Sequence, residues 1–104
     1  MKRKNKQNGY SATIASEYID LKQAIYSIST KLEPVLKFEN KRPTGEIIAY
    51  RAWFSQKGLP PFSVKFTTDI DLPNYMSIIQ FDDLQACEVG NNVYFKARDL
   101  KEIK

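Results

Sequence analysis

Arg51 and Trp53 stand two residues apart in the stretch Glu46–Ser55, EIIAYRAWFS. Two is the side-chain period of a strand, so this pair shares a face with Ile47 and Ala49, while Ile48, Tyr50, Ala52 and Phe54 share the other. A cation beside an aromatic ring suits an extended nucleic-acid strand, because the cation meets a phosphate and the ring stacks on a base. Lys65 in FSVKFTT, and Lys96 and Arg98 in VYFKARDLKEIK, point away from their apolar neighbours. Lys57 lies in the turn QKGLPP, and Lys37, Lys41 and Arg42 decorate nearby ends and loops. Tyr50, Arg51, Trp53, Lys57, Lys65, Lys96 and Arg98 are therefore the candidate nucleic-acid-binding residues. Each also has a plain structural role: Trp53 and Tyr50 as core or dimer-interface anchors, the cations as a solvated strand face. The pattern leaves open which face of 46–55 is buried.

Catalytic chemistry has little to work with. The chain of 104 residues has no histidine and one cysteine, Cys87, which removes Cys/His zinc sites, disulfides within the chain and His-based triads. Asp82 and Asp83 are adjacent, so on a strand they point to opposite faces and form no close pair. There is no Gly-rich phosphate loop. Cys87, between Ala86 and Glu88 with no imidazole to activate it, reads as buried and inert. The expectation is a protein that is not an enzyme and uses no cofactor or metal. A hydrophobic share of 42% and thirteen aromatics (six Tyr, six Phe, one Trp) are enough for one folded domain. No apolar run approaches the roughly 18–20 residues of a membrane span. A lone cysteine without a secretion signal points to a cytoplasmic setting.

The net charge of +4 is unevenly distributed. Residues 1–12 carry Lys2, Arg3, Lys4 and Lys6 with no acid, and read as a flexible basic leader. Residues 37–65 hold six cations against Glu39 and Glu46, whereas 66–95 hold Asp69, Asp71, Asp82, Asp83 and Glu88 with no base. A basic side and an acidic side are expected, and clustered positive charge attracts a polyanion even at modest net charge.

The elements that must position these groups are one helix followed by strands. Ile14, Tyr18, Leu21, Ile25, Ile28 and Leu32 recur at helical spacing, which predicts an amphipathic helix over about 13–32, with Ser11 or Thr13 as N-cap and Pro34 as its stop. The stripe serves either to pack on the domain or to pair with a second copy. Beyond Pro34 the pattern predicts five strands: 35–40, 46–55, 62–68, 76–89 and 93–104. They are separated by KRPTG, QKGLPP, a loop over 69–75 and a Gly90-Asn91-Asn92 hairpin turn. The expected fold is mainly β (α+β): a single domain over 13–104 in which one N-terminal amphipathic helix precedes a five-stranded antiparallel OB-like barrel.

Val64-Lys65-Phe66-Thr67, the loop Pro73-Asn74-Tyr75, Glu88-Val89-Gly90 and the ending Arg98-Asp99-Leu100-Lys101 resemble, in order, the single-stranded-DNA-binding (helix-destabilising) proteins of filamentous phages. The resemblance implies a small OB-fold homodimer that coats single strands with little sequence preference. It places Lys65 on the binding face and Tyr50 near the stacking tyrosine. Where that family carries a DNA-contacting aromatic in the hairpin before the last strand, this chain has Asn91-Asn92. The Lys- and Ile-rich character resembles accessory proteins of phages and conjugative elements of Gram-positive bacteria, which implies a role in replication or transfer of a mobile element. Single-stranded DNA, or RNA, is the expected partner, without a membrane. The alternative is a non-catalytic protein-interaction module that uses the helix stripe or the acidic segment 69–88.

Overall fold

The computed structural model describes residues 9–103. Of the basic leader expected over 1–12, residues 1–8 lie outside this range, while Tyr10, Ser11 and Ala12 belong to the folded domain. The described chain is mainly β: one helix, α1 (Ala12–Tyr18), and strands β1 (Ile25–Ser27), β2 (Glu33–Glu39), β3 (Arg42–Ser55), β4 (Phe62–Phe66), β5 (Ile78–Asp82), β6 (Gln85–Val89), β7 (Asn92–Lys96) and β8 (Asp99–Glu102).

The twenty-residue helix does not form. Ser11 caps α1, its hydroxyl accepting from the N–H groups of Thr13 and Ile14, but Ile19 is already extended (φ −115°, ψ 125°) and the helix ends after seven residues. The cause is Ile19 itself, which is off the apolar stripe and would face water in a continuous helix; leaving the helix buries it to 1% exposure. Asp20 then accepts from the Lys22 N–H to make a turn, and the Gln56 amide clamps that turn by donating to the Asp20 carbonyl and accepting from its N–H. The apolar residues from Ile25 onward continue as strand β1, where Ile25 and Ser27 are buried and Tyr26 half-buried.

Eight strands replace the expected five. They form one sheet in the order β6-β7-β4-β3-β1-β5-β8, with β2 paired along β3 from Arg42 to Arg51, and the pairings do not close it into a barrel. The KRPTG segment is not a loop. Asn40 and Lys41, both at positive φ (51° and 64°), make a two-residue turn, and Arg42 and Pro43 already pair with Glu39 and Phe38. Two register shifts follow, at which β3 carries extra residues; Gly45 at φ 86° and the Thr44 hydroxyl, which donates to the Lys37 carbonyl, accommodate them. The stretch 76–89 divides at Asp83 (φ 59°) into β5 and β6, which pair with different partners. The last strand likewise breaks after Lys96, where the Ala97 N–H donates to the Lys65 carbonyl and the Arg98 N–H to that of Asp82. These short corners fold the β5–β8 flank over the rest of the sheet. Phe54, Phe62, Phe66, Phe81 and Phe95 interlock inside the curl, with Phe54 and Phe81 centroids 4.8 Å apart.

Helix α1 packs on β6 through Ile14, Ala15 and Tyr18; the Tyr18 hydroxyl donates to buried Glu88 at 2.6 Å. Ser11 exchanges both backbone bonds with Ala86 and so covers the outer edge of β6. Of the predicted stripe, Ile14, Tyr18 and Ile25 enter this domain's own core, while Leu21 stays 58% exposed. The acidic segment is not one patch, since Glu88 is inside while Asp82 pairs with Arg98. Cys87 is buried, as its sequence context implies.

Candidate nucleic-acid interface

The face opposite the core is fixed by alternation. Along β3, Ala52 and Phe54 point inward; along β4, Phe62, Val64 and Phe66; along β7, Phe95. Arg51, Trp53, Ser63, Lys65, Tyr94 and Lys96 must then share the outer face. This resolves the ambiguity in 46–55 in favour of Arg51 and Trp53 outward.

Lateral register then aligns the cations. Glu33 of β2 pairs with Arg51 of β3, Arg51 with Lys65 of β4, Lys65 with Lys96 of β7 through a parallel pairing, and Lys96 with Gln85 of β6. Adjacent strands lie roughly 4.8 Å apart, so three cationic side chains rise from one transverse row about 10 Å long. Like charges directly opposite each other destabilise a sheet, and this row places two such pairs side by side. Among the described residues, neither Lys65 nor Lys96 forms an ion pair. What they meet is the ring of Tyr10: Lys96 Nζ is 4.3 Å and Lys65 Nζ 5.8 Å from its centroid.

Aromatic rings flank the row. Trp53 is 37% and Tyr94 48% exposed. The backbone of Trp53 is pinned: its N–H donates to the Ser29 hydroxyl at 2.7 Å and its carbonyl accepts from Ile28. Its indole Nε1 donates to Glu33 Oε1 at 2.8 Å, and the Arg51 guanidinium lies 5.9 Å from its ring. Tyr10, Val35, Arg51, Ser63, Lys65 and Tyr94 line a shallow depression of about 270 Å³ on this face. Partial burial, then the nearby Cys87 and Tyr94, raise the pKa of the Tyr10 hydroxyl, so at neutral pH Tyr10 is an uncharged ring.

Arg51, Trp53, Lys65 and Lys96 are thus brought together, and three other sequence candidates are not. Tyr50 lies on the opposite face, half-buried and paired with Phe66. Lys57 is exposed in the β3–β4 turn beyond Trp53, outside the row. Arg98 is held by Asp82 through two hydrogen bonds of 3.0 Å, and that carboxylate raises its pKa further. Two residues escaped sequence reasoning. Tyr94 was legible, since it shares the parity of Lys96 in VYFKA; Tyr10 carried no signal in a stretch read as leader.

Such a face can hold anionic oxygens in a line and offer rings for stacking. No cluster of His, Cys, Asp and Glu among the described residues could hold a metal ion, and none of the described helices is long and apolar enough to cross a membrane. Comparison with protein-family models, curated proteins and solved structures finds no match to this chain, so the functional reading rests on its own side chains.

Proposed function

We propose that this chain is a sequence-independent single-stranded DNA-binding protein without catalytic activity, which lays the strand across β3, β4 and β7. The observation that carries the reading is the cross-strand row Arg51–Lys65–Lys96 with Trp53, Tyr94 and Tyr10 around it. Phosphates neutralise a row that repels itself when empty, and bases stack on the rings whatever their identity. The order β2-β3-β4-β7-β6, with β4 and β7 parallel, supports an OB-type core to which β1, β5 and β8 are added, a fold whose middle strands bind oligonucleotides. That agrees with the resemblance to the filamentous-phage single-strand binders, with one change: Trp53 and Tyr94 take the stacking role in place of Tyr50. Coating of single strands in the cytoplasm, during replication or transfer of a mobile element, is the process this activity suits.

Fluorescent dT30 titrated with protein at 50 and 200 mM salt tests the reading. Three phosphate contacts on a single strand give a slope of about −2.1 in log K against log salt, or roughly an 18-fold loss over that interval. Trp53 emission should be quenched in parallel. No anisotropy change at 50 mM salt and micromolar protein refutes the proposal. An rU30 competitor ranks RNA against DNA.

A second reading, a protein-interaction surface, is favoured by one observation. The β2–β3 ribbon extends past β4, which pairs only with Tyr50–Phe54, and exposes Phe38 (68%), Ile47 (49%) and Ile48 (48%). A second copy of this chain in a homodimer would cover that patch without excluding DNA from the opposite end of β3. Sedimentation of wild type against Ile47→Lys/Ile48→Lys separates a dimer from a monomer.

A further inference from the structure

The transverse row begins with an acid. Glu33 faces Arg51 directly across the β2–β3 pairing, and a single atom, Oε1, accepts from Trp53 Nε1 at 2.8 Å and lies 3.6 Å from Arg51 Nε. One carboxylate oxygen therefore engages both the cation and the ring that the proposed function assigns to the ligand. A phosphate oxygen offers the same chemistry: an anion that accepts from a guanidinium and an N–H. The side chains of Arg51 and Glu33 are 46% and 38% exposed, so water reaches the pair and its hold is weak enough to exchange.

We infer that Glu33 is an internal stand-in for a backbone phosphate of single-stranded DNA, occupying Arg51 and Trp53 Nε1 in the free protein and yielding them when the strand binds. The inference rests on the proposed function and deepens it. Exchange replaces one carboxylate–guanidinium contact with one phosphate–guanidinium contact, so Arg51 adds less to affinity than Lys65 or Lys96, which have no such competitor among the described residues. Glu33 also leaves a carboxylate beside the incoming phosphates. It keeps the free face partly neutral, at the expense of affinity.

Glu33→Gln separates charge from geometry, because the amide oxygen still accepts from the indole N–H while the competing charge is gone. We expect Glu33→Gln to bind dT30 about 2- to 5-fold more tightly than wild type at 50 mM salt, the range an exposed ion pair contributes, with the gain shrinking towards 200 mM. Glu33→Ala, which loses the indole contact as well, gains less. Thermal melts of both variants check that the domain is intact. Equal binding of wild type and Glu33→Gln removes the role of Glu33 and leaves the nucleic-acid reading standing. Weaker binding by Glu33→Gln overturns the inference by making Glu33 a positioning residue for Trp53. Absence of dT30 binding in both proteins refutes the nucleic-acid reading, and this inference falls with it.

Discussion

Lys65 lies between Arg51 and Lys96 in direct register, so replacing it with glutamine should change stability and binding in opposite directions. Glutamine keeps most of the stem that lies along the strand face and removes only the charge. Charges on directly opposed residues, about 5.5 Å apart and facing water, repel by less than about 1 kcal/mol per pair before screening. Measured cross-strand terms of roughly 0.2–1 kcal/mol set the same scale. The weak contact with the Tyr10 ring, 5.8 Å away, is lost and offsets part of this gain. The net expectation for Lys65→Gln is a stabilisation of about 0.5 kcal/mol at low salt, which for a domain of this size raises Tm by roughly 2–4 °C. Because its origin is repulsion, the gain should vanish in 0.5 M NaCl. Binding moves the other way: losing one phosphate contact reduces the salt slope by about 0.7, from −2.1 to −1.4, so the loss between 50 and 200 mM salt falls from roughly 18-fold to about 7-fold. Differential scanning calorimetry at two salt concentrations, with dT30 anisotropy under the same conditions, reads both effects. A variant no more stable than wild type at low salt, or one with an unchanged slope, would refute the argument that this row is held against its own repulsion for an anionic ligand.

Trp53→Ala should weaken dT30 binding by about 1–3 kcal/mol while leaving the salt slope unchanged, because it removes stacking and no charge; fluorescence anisotropy across a salt series separates the two. Arg98→Ala should leave both affinity and slope as they are, since Asp82 already neutralises Arg98 away from the row; a slope reduced by about 0.7 would return Arg98 to the interface. Ser27 is fully buried, and its hydroxyl has no hydrogen-bond partner among the described residues. Ser27→Ala should therefore be neutral or stabilise by up to about 1 kcal/mol in chemical denaturation, and a clear loss of stability would reveal a partner. The Tyr10 hydroxyl holds its proton more tightly in the folded chain than in the unfolded one, so its contribution is fully present below pH 10.0 and is lost as pH rises through the higher folded value. Wild type should accordingly lose more stability above pH 10 than Tyr10→Phe does, and parallel denaturation curves from pH 9 to 11 would contradict the burial of Tyr10.

Much of this molecule is local, and the local part was legible. FSVKFTT alternates because a strand has period two, and it forms β4 with Phe62, Val64 and Phe66 buried. Gly90 and Asn91 turn the β6–β7 hairpin, QKGLPP separates β3 from β4, and Ser11 caps the helix. Parity within 46–55 put Arg51 and Trp53 together on one face, although it did not say which face met water.

What tertiary structure decided is everything that depends on which segments become neighbours. The spacing from Ile14 to Leu32 satisfies a helix, yet Ile19 and Ser27 are buried only if the chain leaves that helix and lays Tyr26 and Ser27 against β3. The division of 76–89 and 93–104 into four strands follows from long-range pairing: β5 and β6 take different partners, and after Lys96 the backbone N–H groups of Ala97 and Arg98 bond to β4 and β5, partners that no local pattern names. The candidate site shows the same split. Sequence parity determined that Lys65 and Lys96 each face away from apolar neighbours and that Arg51 shares a face with Trp53. Only the β3–β4 and parallel β4–β7 pairings put the three side by side, because side-chain period is a property of one strand whereas register is set by long-range packing of the core beneath it.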